Sequence, residues 1–69
     1  MGFHVGDHVL ADFDGNGYVV AHISEDKHDN AAGETKYGVQ KPDGDVVDLA
    51  HREAADVDAA GSGGTFKSV

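Results

Sequence analysis

Histidines are the residues of this 69-residue chain best suited to metal or proton chemistry, and there are five of them. If two strands pair around a turn at residues 14–17, His8 and His22 become neighbours on one outer face. Two imidazoles and an aspartate can hold zinc or nickel. The alternative is that the histidines are ordinary exposed polar side chains, and we favour it. We therefore predict no dedicated metal site.

Two Asp-x-Asp pairs next to glycine are similar to parts of calcium-binding loops. Asp12 and Asp14 precede Gly15, and Asp43 and Asp45 flank a glycine. Neither pair continues with the further oxygen ligands, or with the glutamate at position twelve, that such a loop needs. The pairs therefore predict turns.

Enzymatic chemistry has little support in the residues. The chain has no cysteine, no GxxxxGK phosphate loop, and serines only at positions 24, 62 and 68. The paired acids belong to solvated turns, where nothing would raise a carboxyl pKa for acid–base catalysis. We expect a protein that is not an enzyme and uses no cofactor.

Charge restricts the classes of partner. Thirteen acidic residues against five basic ones give a formal net charge of −8. Phosphate backbones and anionic membranes need a basic patch, so we expect neither direct nucleic-acid binding nor membrane binding. A basic protein or peptide is the favoured partner. The same acidity would also serve solubility or adaptation to salt. The first residues lack the features of a signal peptide, so we expect a cytoplasmic or virion-associated protein.

Alternation of apolar and polar residues predicts two β-hairpins. The first joins strands over 8–13 and 18–24 through Asp14-Gly15-Asn16-Gly17. The second joins strands over 36–41 and 45–49 through Pro42-Asp43-Gly44. Both faces of the strand over 18–24 carry apolar residues, and we choose the parity that leaves Tyr18, Val20 and His22 outside because it exposes His22. With that choice the side chains predicted to face inward are Val9, Ala11, Phe13, Val19, Ala21, Ile23, Tyr37, Val39, Val47 and Leu49.

The remaining segments have weaker patterns. Residues 25–35 are polar without periodicity and predict a mobile loop. Residues 51–56 predict one short helical turn, and residues 58–69 form a flexible tail rich in glycine and serine. Within that tail, Thr65–Val69 could pair, dock or stay disordered. We place the folded domain at residues 1–57 and the tail at 58–69. A core of this size leaves roughly 3–5 kcal/mol of stability.

The order of these residues resembles Tudor-like domains of the SH3-like barrel class. The resemblance covers residues 5–57, and the segment from Tyr37 to Ala54 is similar to hypervirulence-associated Tudor domains. The matching residues are Val5, Gly6, Asp7, Val9, Ala11, Asp14, Gly15, Tyr18, Ala21, Ile23, Tyr37, Val39, Asp43 and Gly44.

The resemblance implies a mainly β fold, a strongly bent five-stranded barrel. It also implies a binding end between the turns at 14–17 and 42–44. Readers of this class hold a methylammonium group in an aromatic cage by cation–π attraction. The corresponding rings here are those of Phe13, Tyr18 and Tyr37, with Asp14 or Asp43 as the neutralising acid.

Three functions follow as hypotheses. The first is a non-enzymatic interaction module that docks a basic peptide or protein. The second is a small structural component of a phage, virus or other assembly. The third is an acidic mimic of nucleic acid that inhibits a DNA-binding protein. The sequence leaves the oligomeric state open.

Overall fold

The structure, a computed structural model, describes residues 2–53 and 63–69. These two ranges contain five β-strands. No helix occurs in these two ranges, so the fold is mainly β as expected. The strands are β1 (His8–Asp12), β2 (Val19–Asp29), β3 (Thr35–Gln40), β4 (Val46–His51) and β5 (Thr65–Ser68).

The strands form a closed barrel in the order β1-β2-β3-β4-β5. Consecutive strands from β1 to β4 pair antiparallel. β5 closes the barrel by pairing antiparallel with β1 and parallel with β4. This closure places β1 between β2 and β5, with Ala11 opposite Val19 on one side and Phe66 on the other.

The core lies inside the barrel and contains most of the side chains predicted to face inward. Val19 is an exception and is 45% exposed, because it begins β2 at the rim of the barrel. Phe13 and Val47 are partly buried and pack against the core. The buried apolar residues are Val9, Ala11, Ala21, Ile23, Tyr37, Val39, Leu49 and Phe66.

The prediction of a loop over residues 25–35 is wrong. β2 continues to Asp29 and β3 begins at Thr35, so only residues 30–34 turn. Asn30 organises that turn, because its side-chain oxygen accepts hydrogen bonds from the backbone N–H groups of Ala32 and Glu34. The extra length of β2 is exposed and its register with β3 shifts twice. An exposed strand with shifted register shows no alternation in its sequence.

The prediction of a flexible tail over 58–69 is wrong for Thr65–Ser68, because this segment pairs as β5. Its Phe66 is fully buried in the core, so the barrel includes residues beyond position 57. His51 ends β4, and the structure assigns no helix to Arg52 or Glu53. The rest of the predicted helical turn, 54–56, and the glycine- and serine-rich residues 58–62 lie outside the described residues.

Two glycines lead into β5 pressed against the first hairpin turn. A Cβ at Gly63 would lie 2.9 Å from the backbone nitrogen of Gly15, and Gly64 has a φ of +84°. The Gly64 N–H donates to the carbonyl oxygen of Asp12 at 2.7 Å, and its carbonyl accepts from the Ala50 N–H at 3.1 Å. Glycine is therefore needed here for close approach and for a left-handed backbone.

Within the described ranges, no helix is long and apolar enough to cross a membrane.

Candidate functional site

The β1–β2 and β3–β4 turns meet at one end of the barrel, which we call the turn end (residues 13–18 and 41–45). Antiparallel pairing of β1 to β4 directs both turns to the same side. Contact across it is direct, because the Lys41 Nζ lies 5.7 Å from the centroid of the Phe13 ring. The structure thus brings together the two turns that the sequence analysis predicted to frame a binding site.

The β1–β2 turn is shaped by aspartate side chains. Oδ1 of Asp12, a residue only 2% exposed, accepts a hydrogen bond of 2.7 Å from the Gly15 N–H. Oδ1 of Asp14 accepts one of 3.0 Å from the Asn16 N–H. Short side chains of this kind replace backbone partners in turns. Asp14 is exposed, so its carboxylate also faces solvent.

The β3–β4 turn is built in the same way. The Gly44 N–H donates to the carbonyl oxygen of Lys41 at 2.9 Å, and Gly44 has a φ of +102°. Oδ1 of Asp43 accepts a hydrogen bond of 3.0 Å from the Asp45 N–H. Both aspartates are exposed. With Asp14, the turn end therefore presents three exposed carboxylates.

The rings of Phe13 and Tyr18 are half-buried at the turn end, and each has a lysine of the same chain near its face. Lys41 is the cation at Phe13. The Lys67 Nζ lies 4.8 Å from the centroid of the Tyr18 ring. Both distances are within the ~6 Å range of cation–π attraction. The Tyr18 hydroxyl is also 3.2 Å from the Thr65 hydroxyl, which ties the ring to β5.

Tyr37, the third ring of the expected cage, lies in the core. It is 6% exposed, and its ring meets those of Phe3 and Phe66 edge to face at 5.7 and 5.4 Å. The structure therefore brings Phe13, Tyr18, Asp14 and Asp43 to the turn end and places Tyr37 inside the barrel. Phe3 was missed, because it precedes the strands in a segment without alternation.

Other acidic groups lie along the side of the barrel. Glu25 and Asp48 are the cross-strand neighbours of Gly38, on β2 and β4. The His28 Nε2 is 3.2 Å from Oδ1 of Asp48, with both side chains about half exposed. Exposed carboxylates thus occur at the turn end and along this side, and also at Asp7 and on the β2–β3 hairpin at Asp26, Asp29 and Glu34.

The predicted neighbours His8 and His22 are directly opposite each other in the β1–β2 register. Their ring centroids are 6.4 Å apart. Across residues 2–53 and 63–69, no three histidine, aspartate or glutamate side chains are grouped closely enough to hold a metal ion.

A depression of about 310 Å³ lies on the β2–β3 hairpin and is lined by Lys27, His28, Asp29 and Thr35. The Thr35 hydroxyl donates to Oδ1 of Asp29 at 2.8 Å, so these two polar groups satisfy each other. The depression contains none of the residues that the sequence analysis selected.

Glu53 binds the end of β5 and has a perturbed acidity. Its Oε2 accepts hydrogen bonds from the Ser68 N–H, the Ser68 hydroxyl at 2.8 Å and His51 Nε2 at 2.7 Å. Burial is the largest single influence and raises the pKa of Glu53. The hydrogen bonds and the attraction of His51 together outweigh it, so the pKa lies below its ordinary value. The sequence contained no signal for this contact.

Comparisons with protein-family models, with curated proteins and with solved structures found no significant match to this chain.

Proposed function

We propose that the protein is a non-enzymatic, Tudor-like interaction module that docks a basic peptide or protein at its turn end. The observation that carries this proposal is the environment of the two half-buried rings. Phe13 and Tyr18 each have an ammonium group at the ring face, next to turns that expose Asp14, Asp43 and Asp45. Such surroundings suit the lysine and arginine side chains of a partner.

The overall charge supports the same class of partner. A net charge of −8 attracts a cationic chain from a distance and raises its association rate at low salt. Attraction between exposed charges is screened within about 10 Å at 0.1 M salt. Contact with the rings is less sensitive to salt, so binding that persists at high salt is the property that separates docking from mere attraction.

The test is a titration of the isotopically labelled protein with lysine- and arginine-rich peptides, unmodified and methylated, at low and high salt. We expect amide shifts to gather at Phe13, Tyr18 and Asp43 and to survive in high salt. Shifts that spread over every acidic turn and vanish with salt would contradict the proposal and leave only a solvating acidic surface.

A charge-removal variant sharpens the test. Asp14→Asn with Asp43→Asn keeps the Oδ1 acceptor that each turn uses and removes two negative charges. We expect peptide affinity to fall about fivefold, since exposed ion pairs contribute roughly 0.2–1 kcal/mol each. Asp26→Asn with Glu34→Gln removes the same charge from the β2–β3 hairpin and is the matched control. Equal losses in both variants would place the binding site elsewhere.

A structural role in an assembly is the second candidate. It is favoured by apolar side chains that the barrel leaves in solvent, since Val20 is 60% exposed and lies opposite the half-buried Leu10 on β1. Sedimentation at increasing concentration separates the two functions, because a docking module stays monomeric while an assembly protein forms oligomers. An acidic mimic of nucleic acid, the third candidate, would instead compete with DNA for a basic DNA-binding protein.

A further inference from the structure

The two ring faces at the turn end are already in contact with cations in the isolated chain. Lys41 reaches Phe13 across the gap between the two turns, and Lys67 reaches Tyr18 from β5. Both lysines are half-buried, whereas Lys27 on the β2–β3 hairpin is exposed. The ring faces are therefore not open surfaces that an incoming side chain meets unopposed.

We propose that Lys41 and Lys67 are internal competitors that a cationic partner displaces from Phe13 and Tyr18. This inference rests on the proposed function, because it concerns the same turn end. It predicts which partner chemistry binds. A peptide with two spaced cationic side chains replaces both lysines, and an uncharged or singly charged peptide replaces them poorly.

The energy of each contact limits the effect. An exposed cation–π contact contributes about 0.5–1 kcal/mol, which corresponds to roughly a two- to fivefold change in affinity. Internal capping of this strength lowers the affinity for a partner but does not block the site outright. It lowers the affinity of a cationic partner by that factor at each ring, so a chain with one cationic side chain binds more weakly than a chain with two.

Displacement also relocates two positive charges. Asp43 and Asp45 are exposed and lie two and four residues from Lys41, so the carboxylates of this turn can attract a Lys41 ammonium displaced from Phe13. Removal of either lysine ends the competition at its own ring only.

The experiment compares Lys41→Met and Lys67→Met with Lys27→Met, which makes the same change in net charge away from the rings. Affinity for a lysine-rich peptide is measured by titration calorimetry, and the side-chain methylene shifts of the lysines are measured in the free wild-type protein. We expect ring-current upfield shifts for Lys41 and Lys67 relative to Lys27. We also expect each ring-side variant to bind the peptide two- to fivefold more tightly than Lys27→Met does.

Lys67→Arg provides a second measure that keeps the charge and the fold of β5. Arginine caps an aromatic ring at least as well as lysine, so we expect its peptide affinity to be no higher than that of the wild type. If the ring-side variants and Lys27→Met bind equally well, docking stands and displacement is wrong. If neither the wild type nor any variant binds a basic peptide, the proposed docking function itself is wrong, whatever the ring-current shifts show.

Discussion

Gly38 is the point on the side of the barrel where a single methyl group has no space. A Cβ at this position would lie 2.6 Å from the Cβ of Glu25, its cross-strand neighbour on β2. The missing side chain lets Glu25 lie over β3, next to the first register shift of β2. Glycine inside a strand often marks such a close approach.

Gly38→Ala should destabilise the protein by about 1–3 kcal/mol, because the clash involves the near end of a side chain and the backbone must move to relieve it. Urea denaturation followed by circular dichroism measures the loss. Gly2→Ala is the control, since its Cβ would lie at an ordinary 3.4 Å from the Tyr37 hydroxyl. A Gly38→Ala variant as stable as the control would show that β2 can shift at no cost.

Sequence reasoning at the residue scale predicted the two turns, which the structure confirms. Phe13, Tyr18, Asp14 and Asp43, the residues that it selected as a binding site, lie in or beside these turns. Asp-Gly and Asn-Gly pairs make such turns recognisable, because their backbone needs are local. The lysines at the rings were not predicted. Lys67 is 49 positions from Tyr18 in sequence, and their contact exists only after β5 has paired with β1.

Strand β3 carries two of the side chains that alternation predicted to face inward. Tyr37 and Val39 face the core and the latter is fully buried, while the neighbouring β4 begins with Val46, which is 43% exposed. Val39 and Val46 are the same residue type, but the first is buried and the second is exposed. They form a matched pair for testing which face of this hairpin is inside.

Val39→Asp should unfold the protein, because an unpaired carboxylate in the core costs more than the roughly 3–5 kcal/mol that so small a domain has. Val46→Asp should change the free energy of unfolding by about 0.5 kcal/mol or less. Amide dispersion in a two-dimensional NMR spectrum distinguishes the two outcomes. Equal loss in both variants would place β4 in the wrong parity.

Glu53 links two strands, because it follows β4 and its carboxylate accepts hydrogen bonds from Ser68 at the end of β5. Its folded-state pKa lies below the ordinary value of 4.5. A carboxyl group with a lowered folded-state pKa stabilises the protein above its unfolded-state pKa. That contribution is lost as the pH falls through the folded-state pKa.

Glu53→Gln should therefore lower the melting temperature relative to the wild type above about pH 5, and the difference should shrink as the pH falls below 4.5. Thermal melts across this range measure it. Glu34→Gln, on the β2–β3 hairpin, controls for the loss of one negative charge. If the melting temperature of the wild type exceeds that of Glu53→Gln by the same amount down to pH 3, the ionised Glu53 carboxylate does not stabilise the fold through Ser68.

Elements were predictable where one face is buried and the other solvated. In the second half of β2, every residue from Glu25 to Asp29 is exposed. Neither face is buried there, so the sequence has no alternation of apolar and polar residues to detect. The only local signal in this hairpin is its turn, where the Asn30 side-chain oxygen accepts hydrogen bonds from two backbone N–H groups. A sequence pattern that detects only burial describes such a segment as a loop.

For the molecule as a whole, closure of the barrel depends on the side chain of Phe66. It is the largest of the fully buried side chains, and its ring packs against Phe3, Tyr37 and His51. One residue of a four-residue strand thus contacts the lead-in to β1, β3 and β4. The burial of Phe66 could not be predicted from the sequence, since a lone phenylalanine after a glycine-rich stretch has no alternating apolar neighbours.

Phe66→Ala should cost about 3–5 kcal/mol, a loss comparable to the total stability of a domain of this size, so we expect a largely unfolded chain at 25 °C. Val69→Ala, at a residue 77% exposed, is the control and should melt like the wild type. Near-wild-type melting of Phe66→Ala would mean that the first four strands fold without β5.

The pairing of β1 with β5 also determines where the barrel can be fused to another protein or attached to a support. Val9 is opposite Ser68, so the start of β1 and the end of β5 are neighbours at the end of the barrel opposite the turn end. A carrier protein could accept the whole barrel as an insertion in a surface loop, because the two points of attachment are close in space. Immobilised next to the start of β1 or the end of β5, the barrel presents Asp14 and Asp43 to the solution and not to the support.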